Sequence, residues 1–548
     1  MEEKISVRKK IRYTIEHESV TLDLSNEEIT SIPGGVFEIS WLQNLDLSKN
    51  NLSAIPKEIL LLKNLTKLNL SDNRFKEFPE IITRARTIAT LNLSNNQIKK
   101  LPEEISQLKD LTTLNLKNNQ LNSLPESVSE LEKLSFLDLS NNRFSDFPNS
   151  IACLEKLMDL ELSNNNLTSI PKSISGLQKL TTLRLNGNHE IYLPETLSRL
   201  KELTTLELSD NNLVRLPDSV LQATNLKQLN LSRNKIEELP EAIRNLTLYS
   251  LSLGDNPLRN PPPEIASKGF YAVKQYFQQL KDGQDHIYEA KLLILGEGGA
   301  GKTTLAFKII DPSYQLKDEK STQGIEVLPW SFFLDDGRPF RVNIWDFGGQ
   351  EIYHTTHQFF LTKRSMYILV ADTRNEDTDF YYWLNIIELL SDNSPLIIVK
   401  NEKQDRHREI NERQLHGQFE NLRGILSANL ATNRGIDQIR EEIEHLVINL
   451  PHIGTALPTT WIRVREFFEN DKRNYVGLEE FLEICRQQGF DNIKDSLQLS
   501  GYLHDLGVFL HFQEDPLLRK TVILKPKWGT DAVYKVLVLQ RKVMSESR

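Results

Sequence analysis

Hydrophobic positions in the first half of the chain recur with a fixed spacing. Apolar residues, mostly leucine, occupy the first, fourth and sixth positions of a block that continues through Asn to Pro, as in residues 111–125. Asparagine recurs in steps of 23 residues from Asn50 to Asn234. Proline keeps the same step at Pro33, Pro56, Pro79, Pro102, Pro125, Pro148, Pro171, Pro194, Pro217, Pro240 and Pro263. A fixed period of this length indicates a stacked repeat array.

Each block predicts one turn of a solenoid. Leu114 and Leu116 are two residues apart and therefore lie on one face of a strand. Asn119 comes where the chain turns inward, and its amide can both donate to and accept from backbone groups that are otherwise buried without partners. One turn cannot bury its leucines alone, but stacked turns form a continuous core. We expect about eleven turns and a concave face lined by strands.

The block resembles the leucine-rich repeat family over roughly residues 20–264. The resemblance implies an α/β solenoid that binds a protein partner on its concave face, through variable strand positions such as Asn115 or Glu161. We interpret the repeated Asn and Pro residues as structural, and we interpret Glu190 as part of a local loop distortion. Residues 1–20, which include Arg8, Lys9, Lys10 and Arg12, are expected to cap the front of the array. We assign the array with this cap to residues 1–264.

A connecting segment follows the array. Its apolar residues have helical spacing and are Ile265, Phe270, Val273, Tyr276, Phe277 and Leu280. The pattern predicts one helix from Glu264 to Leu280, within a connector that spans residues 265–286.

A phosphate-binding loop is predicted next. The apolar run 291–295 leads into a Gly-rich stretch that matches G-x-x-x-x-G-K-[ST], with a strand before it and a helix after it. Backbone N–H groups of such a loop surround phosphates, and the helix N-terminus adds its dipole. We expect Lys302 to reach the β- and γ-phosphates and Thr303 to ligate Mg²⁺. The predicted nucleotide-binding residues here are Gly296, Glu297, Gly298, Gly299, Ala300, Gly301, Lys302, Thr303 and Thr304.

Two further motifs predict the catalytic and metal-binding groups. An apolar strand ends at Asp346, where a carboxylate can hold Mg²⁺ through water, and the D-x-x-G-Q spacing then gives Gly349 and Gln350. This stretch resembles switch II of Ras-like GTPases, which implies that Gly349 meets the γ-phosphate and Gln350 orients the attacking water. Thr322, 19 residues after Thr303, resembles the switch I threonine and is the third predicted Mg²⁺ ligand. A Gly-containing turn between two apolar runs predicts a hairpin between these motifs.

The predicted base-reading loop departs from the Ras-like pattern N-K-x-D. A buried strand ends at Asn401, but Glu402 follows where Lys is expected, Lys403 comes one place late and Asp405 comes four residues after Asn401. Either the loop carries one extra residue or Asp405 is a surface charge. We predict guanine binding through Asn401, Lys403 and Asp405. The S-A-K-like loop has two candidate registers, 427–429 and 429–431.

Residues 287–450 are predicted to form a doubly wound α/β domain with phosphates at the strand C-termini. The stretch 346–354, together with the preceding repeats, resembles the Roc (Ras of complex proteins) domain of the Roco family. His354 and His357 lack further metal ligands nearby, and we interpret them as switch II residues.

Residues 451–548 predict three helices followed by a two-stranded wing, 507–512 and 521–524, in an α+β winged-helix-like arrangement. The pattern is similar to the first part of the COR domain (C-terminal of Roc). We expect the later part, which carries much of the dimer contact in the family, to be missing. Whether the chain forms a homodimer through Roc and COR is therefore left open.

Composition excludes several classes of protein. The net charge of −9 and a pI near 5.8 argue against nucleic-acid binding. No apolar run approaches the ~18 residues of a membrane span, and the N-terminus has no signal-peptide pattern. Cys153 and Cys485 are the only cysteines, so we expect no disulfide framework and a reducing, cytoplasmic location.

Taken together, these motifs predict a Roco-type switch that binds GTP or GDP with Mg²⁺ and hydrolyses GTP slowly. The alternative is a leucine-rich-repeat scaffold with a structural, non-hydrolysing nucleotide site. A kinase is rejected because the H-R-D catalytic loop is absent, although residues 346–348 spell D-F-G. A NACHT-like ATPase is disfavoured because its NTPase normally precedes the repeats. No arginine finger can be chosen among Arg338, Arg341 and Arg364.

Overall fold

The structure is a computed structural model, and it divides into two compact units. It describes residues 5–281, 283–316, 325–348, 361–362, 364–374, 380–391, 393–407, 411–490, 492–516, 518–525 and 527–529. The first unit comprises Met1–Pro261 and Ala266–Lys274, and the second comprises Pro262–Ile265 and Gln275–Arg548.

The first unit is a solenoid with one parallel sheet. Helix α1 (Ile5–Glu16) buries Val7 and Ile11 and is followed by eleven strands that pair in sequence order. The strands are β1 (Thr21–Asp23), β2 (Asn44–Asp46), β3 (Lys67–Asn69), β4 (Thr90–Asn92), β5 (Thr113–Asn115), β6 (Phe136–Asp138), β7 (Asp159–Glu161), β8 (Thr182–Arg184), β9 (Thr205–Glu207), β10 (Gln228–Asn230) and β11 (Ser250–Ser252). The expected solenoid is confirmed.

Short helical turns follow the repeated prolines. The prolines from Pro33 to Pro240 lie in extended backbone directly before a turn, where a missing N–H and a restricted φ carry no penalty. Pro263 is itself the first residue of a helix. Nine of the described turns are 3₁₀ helices, at Gly34–Glu38, Lys57–Leu61, Glu80–Arg84, Glu103–Gln107, Glu126–Glu130, Asn149–Cys153, Lys172–Gly176, Glu195–Arg199 and Glu241–Asn245. Helix α2 (Asp218–Leu221) takes the equivalent place in one repeat.

The repeated asparagines bond to the backbone as expected. Asn119 Nδ2 donates to the carbonyl oxygens of Leu93 and Leu116 at 3.0 and 3.1 Å. Its Oδ1 accepts from the Ile98 N–H at 2.9 Å. One side chain thus joins neighbouring turns and satisfies buried backbone groups of both.

The segment predicted as one connecting helix contains two. Helix α3 (Pro263–Ala266) and helix α4 (Phe270–Leu280) are separated at Gly269, whose φ of +88° belongs to the left-handed region. A right-handed helix cannot continue through that conformation, so the prediction of a single helix is wrong. Strand β12 (Gln284–His286) then pairs antiparallel with β19 (Ala456–Pro458).

The second unit contains a six-stranded sheet. Its strands are β13 (Glu289–Leu295), β14 (Ile325–Phe333), β15 (Pro339–Phe347), β16 (Ser365–Asp372), β17 (Leu396–Asn401) and β18 (Leu422–Ala428). The order is β14-β15-β13-β16-β17-β18, and every pair is parallel except the β14–β15 hairpin. Helices α5 (Lys302–Ile310), α6 (Phe380–Ser391), α7 (Glu412–Gln418) and α8 (Ile436–Ile448) complete its described elements.

Alternating residues of the central strand supply two separate cores. Leu292 and Ile294 face the cluster that includes α5 and α8. Leu293 and Leu295 face the cluster that includes Trp345 and helix α6. Because both faces are covered, every residue of β13 and of β16 is buried, as expected for a doubly wound sheet.

Three helices follow, as predicted: α9 (Thr459–Asn470), α10 (Leu478–Gln487) and α11 (Ile493–Asp505). The two-stranded wing predicted from residues 507–512 and 521–524 is not the one in the structure. Strand β20 (Tyr475–Gly477) pairs with β21 (Thr521–Ile523), whereas residues 507–512 contribute only a bridge between Leu510 and Ile523. The neighbouring N–H of His511 donates to His504 Nδ1 at 3.2 Å instead of to a strand.

Candidate nucleotide-binding site

The predicted phosphate-binding loop connects β13 to α5. Gly296 has a φ of +136°, and a Cβ there would lie 2.3 Å from the carbonyl oxygen of Val370. Gly301 has a φ of +102°, and a Cβ there would lie 2.6 Å from Asn401 Nδ2. Both positions therefore require glycine, and the loop leads to the N-terminus of α5, where backbone N–H groups are available to an anion.

Lys302 begins α5 and folds back across the loop. Its Nζ donates to the carbonyl oxygens of Gly296 and Glu297, each at 2.8 Å. Burial lowers the pKa of Lys302 to about 8, although the charges of Asp346 and Glu297 oppose the shift. The ammonium group is thus held at the loop in a poorly solvated position, where a phosphate oxygen would be a strong partner.

Thr303 and Asp346 lie together beside the loop. Thr303 Oγ1 donates to Asp346 Oδ2 at 2.6 Å, and Asp346 is fully buried near the end of β15. A hydroxyl and a carboxylate are the oxygen donors that Mg²⁺ prefers, with water and phosphate oxygens completing its octahedron. These two residues fit a magnesium site, and no group of three or more His, Cys, Asp or Glu side chains arranged for a metal occurs in the described part of the chain.

Asn401 joins the phosphate loop to the turn after β18. It is 1% exposed, its Nδ2 donates to the carbonyl oxygen of Ala300 at 2.9 Å, and its Oδ1 accepts from the Leu430 N–H at 3.5 Å. Asn429 Oδ1 in turn accepts from the Ala431 N–H at 3.0 Å. The turn that contains the second candidate register of the S-A-K-like loop, 429–431, is therefore tied to Asn401.

Lys403 also contacts the phosphate loop. Its Nζ donates to the carbonyl oxygen of Gly299 and lies 3.1 Å from Asp372 Oδ2. Although burial alone would raise it, hydrogen bonds from Arg374 and Lys403 lower the pKa of Asp372 to about 2. Asp372 is therefore ionised and anchors the Lys403 ammonium.

The contacts of Asn401 and Lys403 bear on the register of the predicted base-reading loop, which begins at Asn401. Both residues reach the phosphate loop, whereas Glu402 between them bonds elsewhere. These contacts favour the alternative in which the loop carries one extra residue, Glu402, and in which Lys403 and Asp405 keep the Lys-x-Asp spacing of N-K-x-D. The Lys-x-Asp spacing at 403–405 is the signal in the sequence that supports this alternative.

Several predicted site residues lie outside the described residues. They are Thr322, Gly349 and Gln350, and with them His354 and His357. Asp405 belongs to a described 3₁₀ turn, Lys403–Asp405, but its side chain is outside the described part. Glu297 and Gly298 lie in the phosphate loop and Thr304 in the first turn of α5.

Family models match the chain in the same order as these elements. The Leucine-rich repeat region model matches residues 82–190, and the Leucine rich repeat model matches residues 20–75 and 201–258. The model of Ras of Complex, Roc, domain of DAPkinase matches residues 291–405, and that of C-terminal of Roc, COR-A domain, matches residues 458–547.

The chain belongs to the Roco family. Its curated relatives include the probable serine/threonine-protein kinase pats1 of Dictyostelium discoideum, 30% identical over 321 residues that cover 53% of this chain and 10% of the relative. The Roc-COR-CHAT protease of Runella zeae is 27% identical over 332 residues, covering 53% of this chain and 34% of the relative. The chain thus spans between a tenth and about a third of the length of these two relatives.

A similar solved structure is Roco2 RocCORdC of Methanosarcina barkeri, determined with bound GDP. It is 34% identical, covers 46% of this chain and 78% of its own, and has a TM-score of 0.43. No helix in the described part of this Roco chain has both the length and the apolarity that a membrane crossing requires.

In this Roco protein the COR-A segment packs against the central Roc strands β13 and β15. Gly507, after α11, approaches so closely that a Cβ would lie 3.0 Å from Trp345 Cζ2 and 3.2 Å from Lys291 Cδ. Lys291 Nζ lies 4.0 Å from the Trp345 ring centre and donates to Thr362 Oγ1 at 3.0 Å. Burial lowers the pKa of Lys291 to about 7, although the charge of Asp505 opposes the shift.

Two buried ion pairs lie in the same region of the second unit. Arg364 Nε donates to Glu264 Oε1 of α3 at 3.0 Å, and Arg364 Nη2 lies 2.6 Å from Glu264 Oε2. The Arg364 guanidinium also lies 5.2 Å from the Tyr502 ring centre. Arg465 of α9 donates to Glu289 Oε2 at 2.7 Å. COR-A is therefore attached to Roc by the Arg465–Glu289 pair and by the contact of Arg364 with Tyr502.

The position of Arg364 separates it from the other arginine-finger candidates. The next residue, Ser365, pairs with Lys291 near the start of β13, whereas the phosphate loop follows the far end of that strand. A strand of this length spans about 20 Å. Arg364 lies at the wrong edge of the sheet to reach a phosphate in its own domain, and Arg338 is paired with Asp336 in the hairpin turn.

Proposed function

We propose that this Roco protein is a guanine-nucleotide-regulated switch that hydrolyses GTP slowly. The observation that carries the proposal is the connected set of contacts around the phosphate loop, with Lys302 folded across it, Thr303 bonded to Asp346, and Asn401 attached to Ala300.

The phosphates would bind to the loop N–H groups from Gly298 to Thr304 and to the N-terminus of α5. Lys302 would exchange its bonds to loop carbonyls for bonds to the β- and γ-phosphates. Gly296 and Gly301 would leave room for the loop where it passes close to the Val370 carbonyl and to the Asn401 side chain.

Magnesium would be held by Thr303, by Asp346 through water, and by Thr322 in the triphosphate complex. When bound, the ion neutralises charge on the β- and γ-phosphate oxygens. Thr303 and Asp346 already face each other at 2.6 Å, which supports a shared ligand role.

The base would be recognised by Asn401, Lys403 and Asp405. The contacts of Asn401 and Lys403 with the phosphate loop support this assignment, since they tie base recognition to phosphate binding. Asp405 would accept from the guanine N1 and N2 groups, which adenine does not offer in this arrangement.

Hydrolysis would depend on Gln350, which would orient the attacking water, and on Gly349, whose N–H would meet the γ-phosphate. Slow turnover is expected because Arg364 is committed to Glu264 at the opposite edge of the sheet. Stimulation would then require a group from outside this site.

COR-A would read the nucleotide state through β15. Asp346, beside Thr303, follows directly after Trp345, which contacts Gly507 and Lys291. A change at the Asp346 end of the strand would therefore act next to the COR-A contact.

The repeat array, residues 1–264, would bind a protein partner in the cytoplasm. The Roc domain would comprise residues 287–450, and the partial COR domain would comprise residues 451–548.

Single-turnover GTP hydrolysis tests this proposal. The chain is loaded with GTP and Mg²⁺, and phosphate release is followed for the unmodified protein and for Gln350→Leu. We expect slow release that Gln350→Leu reduces by about 10²-fold or more, in line with the loss of an essential positioning group. GTP binding without any phosphate release in the unmodified protein would instead support the scaffold alternative.

A further inference from the structure

The additional residue of the base-binding loop, Glu402, is charged and buried. Its side chain is 7% exposed, whereas its neighbours Asn401 and Lys403 point their polar groups at the phosphate loop. A carboxylate at such a depth requires partners that compensate for its lost hydration. Its partners therefore indicate its role.

Glu402 bonds to two loops at once. Oε1 lies 2.8 Å from His407 Nδ1, and Oε2 accepts from Arg434 Nη2. Its backbone N–H also donates to the carbonyl oxygen of Ala428, at the end of β18, at 2.7 Å. Although burial opposes the shift, contacts with His407 and the charge of Arg434 lower the pKa of Glu402, so it is ionised.

The two partners stand at the far ends of the loops that would bind the base. His407 follows Asp405, so the Glu402 contact closes the loop that begins at Asn401. Arg434 closes the turn after β18, because its carbonyl oxygen accepts from the Asn429 N–H at 3.0 Å. Leu430 and Ala431, at the centre of that turn, belong to the second candidate register of the S-A-K-like loop.

We propose that Glu402 is a positioning residue for base recognition, which holds the Asn401–His407 loop at a fixed separation from the 429–434 turn. Its two oxygens bond to one partner in each loop, and charge-assisted bonds of this kind are short and strong. The insertion that moves Lys403 out of the Ras-like register thus supplies a clamp in its place. The inference rests on the proposed guanine-nucleotide binding.

Calorimetric titrations with GDP, IDP and ADP test the clamp in the full chain. The variants are Glu402→Gln, which keeps the shape but loses the charge, and Arg434→Gln, whose half-exposed side chain can be replaced with little risk to folding. The control is Glu412→Gln, a surface carboxylate 3.5 Å from Lys400. IDP lacks the exocyclic amine of guanine and so reports on Asp405 separately.

We expect Glu402→Gln to weaken GDP binding about tenfold while ADP affinity stays within twofold, so that the GDP-to-ADP preference also falls about tenfold. The preference of Glu402→Gln for GDP over IDP should also shrink. Arg434→Gln should weaken GDP binding by a similar factor. The double variant should bind GDP no more weakly than either single variant, because both changes break the same contact. Glu412→Gln should leave both preferences unchanged.

Other outcomes overturn the clamp. If GDP and ADP affinities fall together, or if only the melting temperature falls, Glu402 is a structural residue and this inference is wrong while guanine binding stands. A wild-type chain without any preference for GDP over ADP removes the proposed function itself, and the clamp with it.

Discussion

Asn119 in the repeat array and Asn401 beside the phosphate loop use the same chemistry in different settings. Both are buried, and both donate from Nδ2 to backbone carbonyls and accept at Oδ1 from a backbone N–H. Asn119 has equivalents in neighbouring turns, such as Asn96 and Asn142, with the same bonds. Asn401 joins two loops at a single place in the described sheet.

The difference lies in redundancy. In the array, each turn depends on its neighbours, so the loss of one asparagine weakens adjacent repeats and leaves the others intact. In the second unit, side chains such as Lys302, Arg364 and Asn401 make contacts that do not recur elsewhere by any repeat. We therefore expect single-site changes to have larger effects in the second unit than in the array.

Arg364→Ala should have the largest effect on stability. It leaves the Glu264 carboxylate buried and removes the contact with Tyr502, and breaking a buried pair from one side costs about 3–5 kcal/mol. Urea unfolding followed by tryptophan fluorescence reports on this unit, since five of the six tryptophans lie in it.

Arg338→Ala is the matched control for that experiment. Arg338 pairs with Asp336 in an exposed turn, so its loss should cost less than about 1 kcal/mol. Equal losses for the two arginine variants would contradict the importance assigned to the buried pair.

Lys302→Ala should nearly abolish nucleotide binding. The variant removes the ammonium group from the phosphate loop, and we expect GDP affinity to fall at least about 100-fold, or ~2.7 kcal/mol. Fluorescent GDP titration measures the change, with Lys281→Ala, an exposed lysine in the same unit, as the control. Retention of GDP by Lys302→Ala would refute the assignment of the loop.

Mild acid should destabilise the second unit but not the array. Burial and the charge of Arg364 lower the pKa of His452 to about 3, and burial with the charges of Lys291 and His511 does the same for His504. Because the folded pKa lies below the unfolded value of about 6.5, stability is complete above that pH and is lost as the pH falls. Each histidine then costs about 2 kcal/mol at pH 5.

Unfolding by urea at pH 7, 6 and 5 checks this dependence. His452→Gln should lose the part of the acid destabilisation that comes from protonation of His452. In the first unit His17 and His189 are exposed, so hydrogen exchange within the repeats should change little over the same range. An unchanged unfolding midpoint for the second unit at pH 5 would count against buried neutral histidines.

Asn165→Ala should have the smallest of these effects. It removes donors to Leu139 and Leu162 and the acceptor for the Phe144 N–H, at a cost of about 1–2 kcal/mol. Hydrogen exchange should quicken only in adjacent repeats, and Asn166→Ala, an exposed neighbour, serves as the control. Global unfolding of the array by Asn165→Ala would show that its turns are less independent than we infer.

The repeats and the phosphate loop were predictable from sequence because their signals are local. A period of 23 residues reveals the solenoid, and the spacing from Gly296 to Thr303 reveals the loop. The helix break at Gly269 was missed, since the apolar spacing runs through it unbroken. A glycine in the sequence does not by itself show that a helix ends; the positive φ of Gly269 does.

Contacts between distant residues could not be predicted in this way. Arg364 and Glu264 are 100 residues apart, and Glu402 and Arg434 are 32 apart, with no periodic pattern that links them. The interpretation of Glu402 as an extra residue depends on the contacts of Lys403 with Gly299 and Asp372, which no sequence pattern predicts. Long-range charge pairs thus define the part of the site that sequence patterns leave open.

The most direct test of the account is a calorimetric titration of the wild-type chain with GDP and with ADP in the presence of Mg²⁺. We predict one binding site per chain and an affinity for GDP at least about 100-fold higher than for ADP, as two hydrogen bonds from guanine to Asp405 would provide. Equal affinities, or no heat of binding with either nucleotide, would contradict it.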